Sequence, residues 1–115
     1  MRDDNGMNAD LIARLRAQIG GPRDGALLRF SLGTALLANG DTAGAVNAFQ
    51  EAVEFDATYS AAWKMLGKAL AECGDADAAA EAFREGLEVA SVRGDKQVEK
   101  EITVFLRRLE KSAKH

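Results

Sequence analysis

The chain has 115 residues, room for one domain with a core of its own and little besides. Hydrophobic residues make up 47% but aromatics only 6%, with 22 alanines and one proline, which is a helical composition. Fifteen basic against eighteen acidic residues leave −3, against a bulk-basic nucleic-acid binder; one cysteine excludes an internal disulfide, and one terminal histidine excludes a histidine-based metal or catalytic cluster.

The chain opens on MRDDNGMNAD, acidic and polar, without an apolar stretch behind a basic start, so no targeting segment is expected. Residues 1–7 read as a flexible N-terminus and 8–25 as a helix and its connection. The helix is placed near Asn8–Ile19, with Asn8 as its N-cap and Gly20–Gly21–Pro22 ending it. No window approaches the ~18 apolar residues of a membrane span. The lone Cys73 suits a reducing compartment, and the cytoplasm is the expected location.

Next comes a repeat. Sliding the sequence by 34 residues sets 26–59 over 60–93 with eleven identities, among them Leu32/Leu66, Gly33/Gly67, Leu36/Leu70, Gly40/Gly74, Asp41/Asp75 and Phe49/Phe83. Only three are alanine pairs, so composition does not explain the match. Each unit reads as a helical hairpin. Apolar residues recur at helical spacing through Leu28, Leu32 and Leu36, break at Gly40–Asp41, and resume through Ala45, Phe49 and Val53. Trp63, Leu66, Leu70, Gly74–Asp75, Ala79, Phe83 and Leu87 repeat the pattern. Gly33 and Gly67 fall inside helices, where glycine costs about 1 kcal/mol, so close helix approach is expected there. Sliding back once more aligns Asn5–Gly6 with Asn39–Gly40 and Leu15 with Phe49, which makes the N-terminal helix the second helix of a truncated unit.

The last segment, 94–115, carries an apolar stripe at Val98, Ile102, Phe105, Leu106 and Leu109. Lys100 and Glu101 stand where the repeat has Leu-Gly, so the segment reads as a capping helix with its own rotation. Its stripe either covers the preceding hairpin or, in strict register, turns Val98, Ile102 and Phe105 toward a groove. The fold class is therefore all-α: a short α-solenoid of about six helices in one domain.

These residues resemble the tetratricopeptide repeat family. Trp63, Leu66–Gly67, Leu70, Ala79 and Phe83 match its pattern, with Gly86 as the third small residue. Leu32–Gly33, Leu36, Ala45, Phe49 and Ala52 match in the first copy, where Arg29 replaces tryptophan. Ala57 and Ser91 replace the family's proline. The resemblance covers 68 residues and implies a solenoid whose first helices line a concave side. It places Leu27, Phe30, Thr34 and Leu37 of the first unit, and Ala61, Lys64, Lys68 and Ala71 of the second, on that side. The implied function is a binding module without cofactor or metal, docking a peptide segment or helix of another protein. The partner contacts would be Leu27, Phe30, Thr34, Leu37, Lys64, Lys68 and Ala71. Alternatively, Leu27, Phe30 and Leu37 pack against the N-terminal helix and the lysines are solvated charges. The Lys-Asn carboxylate site of some members is not expected, because Phe30 and Thr34 stand at its positions and a complete third repeat is absent. A second reading is a self-associating structural protein that uses its end helices.

Signals of catalysis are lacking. GGPRDG at 20–25 lacks the Lys-Ser/Thr ending of a phosphate loop, and the acids of 3–10 lack calcium-loop spacing. Cys73 has no histidine near it in sequence. Neither nucleic acid nor membrane is an expected partner. Charge is uneven, however: 25–94 hold five basic and ten acidic residues, whereas 95–115 hold six and four. Glu51, Glu54, Glu81, Glu85 and Glu88 fall on second helices, the expected convex side.

Overall fold

A computed structural model describes residues 4–113, all six of whose regular elements are helices: α1 Asp4–Arg16, α2 Ala26–Ala38, α3 Thr42–Phe55, α4 Ser60–Glu72, α5 Ala76–Arg93 and α6 Lys96–Ala113. The two Gly-Asp pairs make the hairpin turns. Gly40 and Gly74 adopt left-handed backbone angles, φ 83° and 84°, a conformation that costs other residues roughly 1–2 kcal/mol. The next amide, of Asp41 or Asp75, donates five residues back to Leu36 or Leu70 at 2.9 and 3.0 Å, a Schellman closure. The same aspartates cap the following helix. Asp41 Oδ1 accepts from the Gly44 amide at 2.9 Å, and Asp75 Oδ1 from Ala78 at 3.2 Å.

The internal glycines have the expected steric reason. A Cβ on Gly33 would lie 2.7 Å from the Phe49 ring, and one on Gly67 would run into Phe83. Both phenylalanines are fully buried, as are Leu66 and Ile102, each such burial contributing roughly 1.5–3 kcal/mol. Gly86 answers a different neighbour: its Cβ would meet Trp63 Cβ at 2.7 Å and Ile102 Cδ1 at 2.9 Å. The core is divided between a cluster under α1–α4 that includes Ile12, Phe49 and Leu66, and a smaller one joining Phe83 and Ala90 to Val98 and Ile102.

Helices α2, α4 and α6 form one layer, and α1, α3 and α5 the other. Each packs on its chain neighbours, except that α1 touches only α2; α6 packs on α5 and on α4, as α4 packs on α3 and α2. Helix α6 thus takes the place of a third first helix. Its rotation is its own, and the stripe covers the preceding hairpin: Val98 and Ile102 are buried, and Phe105, Leu106 and Leu109 pack around them. The register breaks because α5 outruns α3 by a turn. After Phe55, the Asp56 carboxylate takes the amide and hydroxyl of Thr58 at 3.0 and 2.6 Å and turns the chain. Asp56 aligns with Ala90, which has no carboxylate, so α5 continues to left-handed Gly94.

The N-terminal helix departs from expectation. It starts at Asp4, so Asn8 lies inside it rather than capping it. No proline stops the helix between residues 4 and 8, and Gly6 costs only about 1 kcal/mol. Of the stretch expected to be flexible, 4–7 are helical and 1–3 lie outside the described residues, as does His115. The helix also ends early, at Arg16 rather than Ile19. Gln18 and Ile19 donate three residues back, to Leu15 and Arg16, leading to left-handed Gly20. Among the described residues no helix is long and apolar enough to cross a membrane.

Candidate functional site

Helices α2 and α4 carry the residues expected to face inward, but these are not equally free. Leu27 is 70% exposed, so α1 does not cover it. Thr34 is exposed, and its hydroxyl donates to the Phe30 carbonyl at 3.0 Å. Phe30 is only half accessible. Its ring lies 4.9 Å from Tyr59 and 5.7 Å from Phe49, tying the first unit to the start of α4. Leu37 likewise packs against the main core. Both residues therefore spend much of their surface inside the protein.

The lysines divide in the same way. Lys64 Nζ donates to Glu101 Oε1 of α6 at 2.8 Å. That bond, with help from Gln97, holds the Glu101 carboxyl below its ordinary pKa. Lys64 is thus neutralised by its own chain. Among the described residues Lys68 forms no ion pair; its ammonium sits 5.2 Å from the centre of the Phe105 ring.

Between α4 and α6 runs a cleft of about 250 Å³. Ala71, Phe83, Phe105 and Leu109 make its apolar lining, and Lys68, Glu72, Arg108 and Ser112 surround it. Phe105 stacks on Phe83 with centroids 5.7 Å apart and planes 6° from parallel, so the two rings form one apolar floor. Arg108, like Lys68, is without an ion pair among the described residues, while the neighbouring Arg84 reaches Glu110 at 3.8 Å. Two cations without a salt bridge among the described residues therefore flank the apolar slot, with Glu72 on its edge and Glu101 close enough to Lys68 to feel its charge. That arrangement suits an apolar side chain next to a carboxylate.

Sequence reasoning put Lys68 and Ala71 on the side of α4 that meets this cleft and turned Phe105 toward a groove only in strict register, together with Val98 and Ile102, which are buried; it missed Arg108 and Leu109. The neighbours across it lie 37 residues on, Lys64 with Glu101 and Lys68 with Phe105, rather than at the 34-residue period. A signal was available in the α6 stripe. Once Val98 and Ile102 are turned inward, Glu101, Phe105 and Arg108 must flank α4.

Among the described residues no group of histidine, cysteine or acidic side chains is arranged to hold a metal. Cys73 is exposed.

Residues 36–92 match the tetratricopeptide repeat family profile. The TPR repeat-containing protein PA0015 of Pseudomonas aeruginosa is 46% identical over 89 residues, spanning 77% of this chain and 85% of that protein. The solution structure of protein BPP2914 from Bordetella parapertussis is similar with a TM-score of 0.75 at 44% identity, covering 88% of each chain. The crystal structure of MamA gives 0.68 at 22% identity over 97% of this chain and 74% of that one, a likeness of fold alone.

Proposed function

Since the chain belongs to the tetratricopeptide repeat family, whose members are in general non-catalytic protein-interaction modules, we propose that it binds an extended segment of a partner protein along its concave face. The observation that carries this reading is the cleft between α4 and α6, with an apolar floor and the unpaired cations Lys68 and Arg108. An apolar side chain would enter over Phe105 and Leu109, and an adjacent Asp or Glu would meet the cations. The remainder of the segment would pass Ala71 and Ala61 toward Thr34 and Leu27. Lys64 contributes little here, because Glu101 already occupies it.

Magnitudes decide how long the segment must be. One buried apolar side chain supplies roughly 1.5–3 kcal/mol, and each exposed charge pair up to about 1 kcal/mol. The cleft alone therefore reaches only about millimolar affinity. Tighter binding needs the Thr34–Leu27 end as well. The exposed Cys73 thiol suits a reducing compartment, and the proposal places the protein in the cytoplasm.

Selection from a displayed random-peptide library in reducing buffer tests the proposal. Enriched peptides should carry an apolar residue beside Asp or Glu, and Lys68→Glu/Arg108→Glu should lose them. Enrichment without acidic residues, or equal retention by the variant, would remove the cleft from the account.

A further inference from the structure

Two surfaces outside the concave cleft complement each other. The first is the outer face of α6. Helices α2 and α4 are each followed by a second helix packed against them, but α6 has none among the described residues. Its uncovered face carries Lys96, Lys100, Thr103, Val104 and Arg107, with the acid Glu99 among them, three cations to one acid. Val104 is 45% exposed. Among the described residues Lys100 and Arg107 form no ion pair, and Lys96 reaches Glu99 only at 3.9 Å.

The second surface lies on the other layer. No Cα of α3 comes within 8 Å of one in α5, which leaves a groove of about 400 Å³ between them. Trp63, Leu66 and Leu70 of α4 form its floor, and Gln50, Glu81 and Glu85 its polar edge. Trp63 and Leu70 are only half-buried. The Trp63 ring N–H is already satisfied by the Ala57 carbonyl at 2.8 Å, so the ring offers its apolar surface. Glu81 and Glu85 are exposed and form no ion pair among the described residues.

We propose that the outer face of α6 docks in the α3–α5 groove of a second copy of this chain. Lys100 and Arg107 meet Glu81 and Glu85, and Val104 settles against Trp63 and Leu70. The charge balance selects this occupant: 25–94 hold five basic and ten acidic residues, while 95–115 hold six and four. The two faces are different patches, so the contact is heterologous and a dimer keeps one free patch of each kind, one on each copy. Association then continues beyond a dimer as concentration rises.

Sedimentation velocity across a concentration series, in dilute buffer and in about 1 M salt, provides the test. The Debye length falls to about 3 Å in 1 M salt. The expected mass rises above 12.3 kDa with concentration in dilute buffer and returns to the monomer in high salt. Trp63 fluorescence should shift along the same curve. Glu81→Lys/Glu85→Lys and Lys100→Glu/Arg107→Glu should each remain monomeric, with circular dichroism showing both folded. Mixing the two variants should restore association, because each supplies the patch that the other has lost. A constant monomer mass for the wild type overturns the proposal. So does association that survives either reversal, or a mixture that stays monomeric.

Discussion

Arg29 stands where the second unit has Trp63, and it fastens the first unit by charge instead of by an aromatic ring. Its guanidinium takes both oxygens of Asp24 at 2.9 and 3.0 Å and Glu51 Oε1 at 2.8 Å, and lies 5.4 Å from the centre of the Phe55 ring. The hydrogen bonds from Arg29, and then from the Gly20 amide, lower the Asp24 pKa to about 2 from an ordinary 3.8. A carboxylate depressed in the folded state stabilises above its unfolded pKa, and that contribution is lost as pH falls from about 4 toward 2. Asp24→Asn should therefore lower the melting temperature at pH 7, with the gap from wild type closing toward pH 2. A gap that is independent of pH would contradict the role given to this ion pair. The glycines make a second residue-scale prediction. Gly67→Ala gains about 1 kcal/mol of helix propensity but drives a methyl into Phe83, where overpacking costs roughly 1–3 kcal/mol. The net expected in urea denaturation is a loss of up to about 2 kcal/mol; a stabilised variant would show that the phenylalanine moves freely.

Among the elements, α6 changes the picture most. It occupies the place of a third first helix, and Ile102, wholly buried, fixes it to α4 and α5 beside Gly86. Ile102→Ala should cost about 2–5 kcal/mol in urea denaturation; a cost below 1 kcal/mol would mean that α6 is only loosely attached. The helices themselves were legible because Leu32/Leu66, Gly33/Gly67 and Phe49/Phe83 recur at one period, and because Gly-Asp encodes both a helix stop and the next cap. The rotation of α6 was legible only in part. Its apolar stripe says which side is buried, but the longer α5 that displaces its register depends on Asp56 making a turn that Ala90 does not. The start of α1 was misplaced because Asn8, though favoured as a cap, is tolerated inside the helix that begins at Asp4. Lys64 looked free because its partner, Glu101, lies 37 residues away on a helix outside the repeat register.

At the scale of the whole molecule, the helices sort the charge. Unpaired cations remain beside the cleft and on the outer face of α6, and unpaired acids remain on α5. Binding at the cleft should weaken with added salt, and less steeply where the apolar anchor dominates. The measurement that bears most directly on the central claim is a nitrogen–proton correlation titration of the labelled protein with a library-selected peptide. The account predicts shifts centred on Lys68, Ala71, Phe105, Arg108, Leu109 and Ser112, extending weakly to Thr34 and Leu27. Shifts confined to α1, or to the α3–α5 groove with this cleft silent, would contradict it.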